Sequence, residues 1–197
     1  MKLRDKITLA LAAGVSAAVA LSAANPPSGA VWFVEIVWCL AYALGLAALF
    51  PRFRFSNFAY ALAAFWCVLQ AVGAHYTFEA VPFPRELFGL ERNCFDRLAH
   101  FSVGLNAYLV CEYVFREKIV NGAKAAAAAG FFVIVAVAGL WEIVEWLYAA
   151  WDGGETGAAF LGSQGDEWDA QKDMLCDALG GLVAALLFLA RERRQEK

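Results

Sequence analysis

The chain has 197 residues, of which 61% are hydrophobic and only 18% charged, with 16 Phe and 7 Trp. A soluble domain usually carries about 25% charged and about 45–50% apolar residues, so this composition excludes a soluble globular enzyme, and it excludes a disordered chain as well. The net charge of −3 provides no basic surface for nucleic acid.

A bilayer span takes about 20 apolar residues. Six apolar runs of suitable length occur, at Ile7–Ala24, Val31–Phe50, Asn57–Phe78, Phe95–Phe115, Ala123–Trp151 and Asp173–Ala190. They predict an all-α, polytopic membrane protein of six transmembrane helices, forming a single domain over residues 1–197. Pro26-Pro27-Ser28-Gly29 closes the first run and Pro51 the second. Pro82 and Pro84 lie in the third loop, and Gly153-Gly154 ends the fifth run. The alternation of a transmembrane barrel is missing from the sequence.

The first run has the marks of a signal peptide: Lys2, Arg4 and Lys6 before it, and Ser22-Ala23-Ala24 as a small-residue site. Its 18 residues exceed the usual h-region of about 7–15, so the reading is an uncleaved first span. Lysine and arginine then sort by side. With the N-terminus inside, twelve fall on one side and four (Arg85, Arg92, Arg97 and Lys172) on the other. The positive-inside rule places both termini in the cytoplasm, with loops 79–94 and 152–172 facing outward. Cys39, Cys67, Cys94, Cys111 and Cys176 are odd in number, lack a CxxC spacing and mostly sit in apolar runs, so they read as packing residues.

Ionisable groups inside spans cost roughly 2.5–3.5 kcal/mol each near a helix centre, so each needs a partner or a role. Here they gather toward the outer side. His75 lies near the end of the third run. Asp96 and His100 open the fourth, Glu142 and Glu145 lie in the outer half of the fifth, and Asp173 and Asp177 open the sixth, after Asp166 and Asp169 in a Gly-containing loop. Asp96 and His100 are i,i+4, Glu142 and Glu145 are i,i+3, and Asp169, Asp173 and Asp177 step by four, so each set shares a helix face. Both histidines of the chain belong to this set. Glu35 and Glu112 stand alone and are expected to reach an interface. Gly180-Gly181 after Asp177 suits close helix packing.

Three chemistries fit. Imidazole with carboxylate suits a divalent zinc, manganese or iron ion, and His75, His100, Asp169 and Asp173 are the candidate ligands. Buried acids also suit proton transfer, with Glu142, Glu145, Asp96 and Asp173 as the candidate catalytic groups. The third is a structural ion network, in which Arg92, Arg97 and Lys172 neutralise the acids and leave no cavity. No GxGxxG or Walker-type loop points to a nucleotide cofactor.

Several stretches resemble the YjdF-like bacterial inner-membrane family: Ala74-His75-Tyr76-Thr77-Phe78, Val81-Pro82, Asn93-Cys94-Phe95-Asp96-Arg97-Leu98-Ala99-His100-Phe101, Trp141-Glu142-Ile143-Val144-Glu145-Trp146, and the loop from Gly162 to Asp173. The likeness covers nearly the whole chain and implies a multi-pass protein of the inner membrane, without a reaction. A fainter likeness, over about the last 100 residues, is to VanZ-like membrane proteins. It rests on Asp96-Arg97-Leu98-Ala99-His100-Phe101, on Glu142 and Glu145, and on Asp173 with Gly180. Asp177 departs from that pattern, which usually has Asn.

The reading that follows is an inner-membrane protein with an outward-facing His/carboxylate site, acting as a metal-assisted hydrolase or transferase on a lipid or cell-envelope substrate. The competing readings are an accessory protein held by an ion network and a proton- or ion-coupled transporter. A transport pathway needs polar groups through the full depth of the bundle, and the polar set here is one-sided.

Overall fold

The computed structural model describes residues 3–84, 92–152 and 163–195, together with 154, 157 and 161. Its helices are α1 (Leu3–Ser22), α2 (Gly29–Leu49), α3 (Asn57–Tyr76), α4 (Phe95–Gly104), α5 (Ala107–Arg116), α6 (Ala123–Asp152) and α7 (Asp169–Gln195). Among the described residues there is no strand. Six stretches are long and apolar enough to cross a membrane, with α4 and α5 together making the span Phe95–Arg116.

Local chemistry explains the boundaries. The Ser28 hydroxyl accepts the Val31 N–H at 3.3 Å and starts α2, and the Ser56 hydroxyl accepts the Ala59 N–H at 3.2 Å and starts α3. The third helix stops at Tyr76, short of the expected Phe78, because Thr77 and Phe78 turn to positive φ. The last helix begins at Asp169, four residues before the expected Asp173, so Asp169 is its first residue and not part of the loop. The fourth span bends at Leu105-Asn106, where the Asn106 side-chain amide donates to the carbonyls of Ser102 (3.0 Å) and Val103 (3.1 Å). A side chain bonding back to the preceding turn is a recognised cause of such a bend.

The bundle is built around α3, which packs against α1 and α2 on one side and α4 on the other, and around α7, which packs against α4, α5 and α6. The tightest crossing is backbone to backbone. A Cβ on Gly104 would lie 2.7 Å from the Gly180 Cα and 2.7 Å from the Gly181 nitrogen. Without a strong hydrophobic drive between helices in lipid, such close approach of small residues is what brings spans together. The apolar core at one end gathers Phe53, Phe55, Tyr108, Leu109 and Phe188. Phe132, Leu140, Trp146 and Leu186 stay exposed, as expected of side chains that meet lipid.

Candidate functional site

The start of α4 sets the site's geometry. Cys94 makes no side-chain cap, and Asn93 does the work instead: its Oδ1 accepts the Phe95 N–H at 2.9 Å, while its Nδ2 donates to the carbonyls of Glu79 (2.9 Å) and Val81 (2.7 Å). Gln164 completes the joint. It accepts the Asn93 N–H at 3.2 Å and donates to the Asn93 carbonyl at 3.0 Å. The loop before α7 is thereby fixed to the first turn of α4, which brings Asp166 and Asp169 next to Arg92 and Asp96.

Arg92 and Arg97 hold this end together. Arg92 pairs with Asp96 at 2.7 Å, Asp169 at 2.8 Å and Asp166 at 3.2 Å. Arg97 pairs with Asp169 and Asp173 and lies 3.6 Å from Asp166. Lys172 adds a 2.6 Å pair with Asp166. Burial and the neighbouring Arg97 work against the charged form of Arg92, but its hydrogen bond to Asp169 and the negative charges of Asp96 and Asp169 outweigh them and raise its pKa. This is the ion network that the sequence permits. It neutralises Asp96, Asp166 and Asp169 directly.

Deeper in, the groups are less paired. His100 places Nδ1 2.9 Å from Asp177 Oδ2, and its Nε2 lies 3.8 Å from Asp173 Oδ1. An ionised carboxylate only accepts, so Nδ1 carries the hydrogen and Nε2 faces the Asp173 side. Asp173 and Asp177 are buried, and Asp177 Oδ1 has no hydrogen-bond partner among the described residues. Glu142 Oε1 is buried and likewise unpartnered, while Glu145 Oε1 accepts the Trp141 indole N–H at 2.5 Å. Single donor atoms of His100, Glu142 and Asp173 all lie within 4.8 Å of one another, and so do those of Asp96, Asp169 and Asp173.

Of these groups, Asp96, His100, Glu145, Asp173 and Asp177 border a cavity of about 540 Å³ between α2, α3, α4, α5, α6 and α7. They line one end, and Leu46, Leu49, Phe55 and Leu109 line the other. An ion network that filled the space would leave no such cavity, so the network coexists with an open interior.

The sequence-based candidates therefore separate. Asp96, His100, Glu142, Glu145, Asp169 and Asp173 come together. His75 does not: its Nδ1 lies 3.0 Å from the Ser22 carbonyl oxygen, where it ties the end of α3 to the end of α1. Asp169 is held by both arginines, so a cation there would have to displace them. Glu35 is the residue sequence reasoning missed. It does not reach an interface but is 4% exposed and lines the cavity, with its Oε2 accepting from Gln70 Nε2 at 3.0 Å. The available signal was a Gln and a Glu facing each other from two otherwise apolar spans. Glu112, the other lone acid, caps α3 from α5, accepting the Ser56 N–H at 2.7 Å and pairing with Arg116 at 2.5 Å.

Comparison with known proteins agrees with this architecture. A family model described as "Predicted membrane protein (DUF2238)" matches residues 7–194. The chain is 36% identical over 164 residues to the inner membrane protein YjdF of Escherichia coli (strain K12), covering 81% of this chain and 78% of that one. No solved structure matches. The chain belongs to the DUF2238 family of membrane proteins.

Proposed function

We propose that the protein binds an amphiphile in its interior and acts on the polar end with a metal-assisted His/carboxylate site, as a hydrolase or transferase of a lipid or cell-envelope substrate. The observation that carries this is the cavity, with its carboxylates and imidazole at one end and a mostly apolar lining, which includes Tyr113, at the other. From Glu35 to Leu49 along α2 is about 20 Å of helix at 1.5 Å per residue, enough length for an aliphatic chain lying beside it. Along that length the described lining offers Tyr42, Asn106 and Tyr113 but no charged group beyond the acidic end, which speaks against a path for ions.

The residues fit distinct roles. His100 Nε2 with Asp173 and Glu142 supplies an imidazole and two carboxylates, a donor set that suits zinc, manganese or iron. Asp177 behind His100 is the partner that fixes the ring and its tautomer, as metal-ligating histidines commonly require. Glu145, oriented by the Trp141 indole, is the general base. A bound divalent ion would lower the pKa of a water and polarise the substrate carbonyl or phosphoryl oxygen. Asp96 and Asp169 serve the arginine network that holds the mouth of the site. The lysine and arginine distribution supports a site on the outer side of the inner membrane, with both termini cytoplasmic.

Elemental analysis of detergent-purified protein tests this. Near-stoichiometric zinc, manganese or iron should be retained by wild type and by His75→Ala and lost from His100→Ala. Wild-type protein that holds no metal after reconstitution with each ion would overturn the metal reading. The arginine–carboxylate network would then stand as the function of the acids, in a non-catalytic accessory protein.

A further inference from the structure

The acids of the cavity are not equally provided with counter-charge. Asp96 meets Arg92, Asp173 meets Arg97 and Asp177 meets His100. Glu35 forms no ion pair among the described residues: His100 acts on it only through space, and its carboxylate receives a hydrogen bond from Gln70. Among the described residues the cavity lining contains no lysine or arginine. A carboxylate buried to this degree either holds a proton or takes a cationic partner, because an unpaired charge in an apolar interior is costly.

The surroundings of Glu35 favour the cation. Trp38, Tyr42 and Trp66 line the cavity with it, and Trp141 packs edge-on against Trp38 with ring centroids 5.7 Å apart. Tyr42 and Trp66 are also edge-on, at 4.9 Å. Aromatic side chains that share a cavity with a carboxylate are the chemistry that recognises organic ammonium groups, since each ring face carries negative charge density. Trp66 adds a second unmet group, a buried indole N–H with no acceptor among the described residues, which a ligand oxygen would satisfy. The lining as a whole is acidic: Glu35, Asp96, Glu145, Asp173 and Asp177 against His100 alone.

We infer that the amphiphile bound in this cavity carries a protonated amine, seated on the Glu35 carboxylate among Trp38, Tyr42 and Trp66, with its aliphatic chain directed along α2 toward Leu46 and Leu49. The inference rests on the amphiphile-binding reading above, and it names the substrate class. Glu35 is here a binding residue, separate from the His100 cluster that would perform the chemistry.

The test uses the full chain in lipid nanodiscs and three probes of one chain length, an alkyl amine, alcohol and carboxylate, with affinities read by titration calorimetry against empty nanodiscs. The amine should bind more tightly than the alcohol by roughly tenfold or more, and the carboxylate should bind least. Glu35→Gln should abolish the preference for the amine over the alcohol. Equal affinity of amine and alcohol for wild type, or a preference that survives in Glu35→Gln, overturns the inference and leaves the cavity reading intact. No saturable binding of any probe overturns both. Where Glu35→Gln fails to fold, Gln70→Leu, which removes the hydrogen bond to Glu35, takes its place and should weaken the preference for the amine. Metal analysis is independent of all three probes, so loss of the metal reading would not touch this one.

Discussion

His100 Nδ1 lies 2.9 Å from Oδ2 of Asp177, a carboxylate only 1% exposed. The pair joins α4 to α7 one turn beneath the arginine network. It also leaves His100 Nε2 directed to the Asp173 side, where a metal or a substrate proton would be met. Asp177→Ala should strand the imidazole and cost about 1–3 kcal/mol of stability. In the metal-bound protein it should weaken zinc binding by about 10–100-fold. Asp177→Asn keeps an acceptor oxygen at the same place and should lose less on both counts. Chelator competition for zinc, with thermal unfolding in parallel, measures both. Equal zinc affinity in wild type and Asp177→Ala would show that Asp177 does not orient the ring.

The Gly104–Gly180 crossing places the α4 backbone against α7 just below this pair. A methyl group at either position would meet backbone atoms, which cannot move aside as side chains do. Gly104→Ala and Gly180→Ala should each destabilise by about 3 kcal/mol, the upper end for overpacking, and should disturb the site through the shift of Asp177. Gly139→Ala and Gly45→Ala face open space and should be neutral or slightly stabilising. Thermal unfolding of the four variants in one detergent gives the comparison.

Much of this arrangement was legible in the chain. Six spans, the sharing of helix faces by Asp96/His100 and by Glu142/Glu145, and the stripe through Asp169, Asp173 and Asp177 all follow from helical spacing. Gly180-Gly181 was readable as a packing surface for the same reason. What spacing could not deliver was pairing between helices. His75 looked like a second ligand by depth along its span, but depth does not say which neighbour a side chain faces, and its neighbour is the end of α1. Asp169 looked like a loop residue, because the three polar residues Asp169, Gln171 and Lys172 hide a helical turn that is held at Asp169 by Arg92 and Arg97. Glu35 was hidden because a lone acid in an apolar run is explained as well by snorkelling as by a buried partner, and Gln70 sits thirty-five positions away.

Arg97 is the pivot of the network, in contact with Asp169 and Asp173 and 3.9 Å from Asp96. Removing it leaves Asp96, Asp169 and Asp173 close together with Arg92 as the remaining arginine of the network. Arg97→Ala should therefore be strongly destabilising, by about 3–5 kcal/mol, as expected when one partner of a buried pair is lost. Adding Asp169→Asn to Arg97→Ala should recover part of that loss, since the amide removes one of the uncompensated charges. A coupling of about 0.5–3 kcal/mol in the double-mutant cycle is the expected result, and strict additivity would argue against a shared network. Arg97→Lys should not substitute, because a lysine ammonium cannot span two carboxylates as the guanidinium fork does.

The loop before α7 should respond to acid. The Lys172 ammonium at 2.6 Å holds the Asp166 carboxyl below the usual carboxylate range, helped by the Trp168 backbone N–H at 3.1 Å and by Arg92. Arg97, 3.6 Å away, adds to the same side. A carboxylate whose pKa is lower in the folded protein binds fewer protons there than in the unfolded chain. Its contribution is complete above the unfolded value of about 3.9 and is lost as pH falls through the folded one. Hydrogen exchange of residues 163–168 should stay slow from neutral pH down to that range and accelerate below it. Asp166→Asn should show the fast exchange already at neutral pH, with the spans unaffected.

Asn93 offers the most exacting check on how the site is held. Its side chain uses both faces of the amide: Oδ1 caps α4 at Phe95, and Nδ2 satisfies two carbonyls of the preceding loop, at Glu79 and Val81. The residue is 7% exposed, so water cannot replace these bonds freely. Asn93→Ala should cost about 1–3 kcal/mol by leaving buried carbonyls unpaired. Asn93→Asp keeps the cap oxygen and is nearly isosteric, so a purely steric role would make it the milder change. The hydrogen-bond pattern argues the reverse, because a carboxylate oxygen would then face two carbonyl oxygens. Asn93→Asp should melt below Asn93→Ala at neutral pH and recover as the pH is lowered and the carboxyl gains a donor hydrogen. A higher melting temperature for Asn93→Asp than for Asn93→Ala at neutral pH would mean that the α4 cap, and not the loop carbonyls, is what Asn93 supplies.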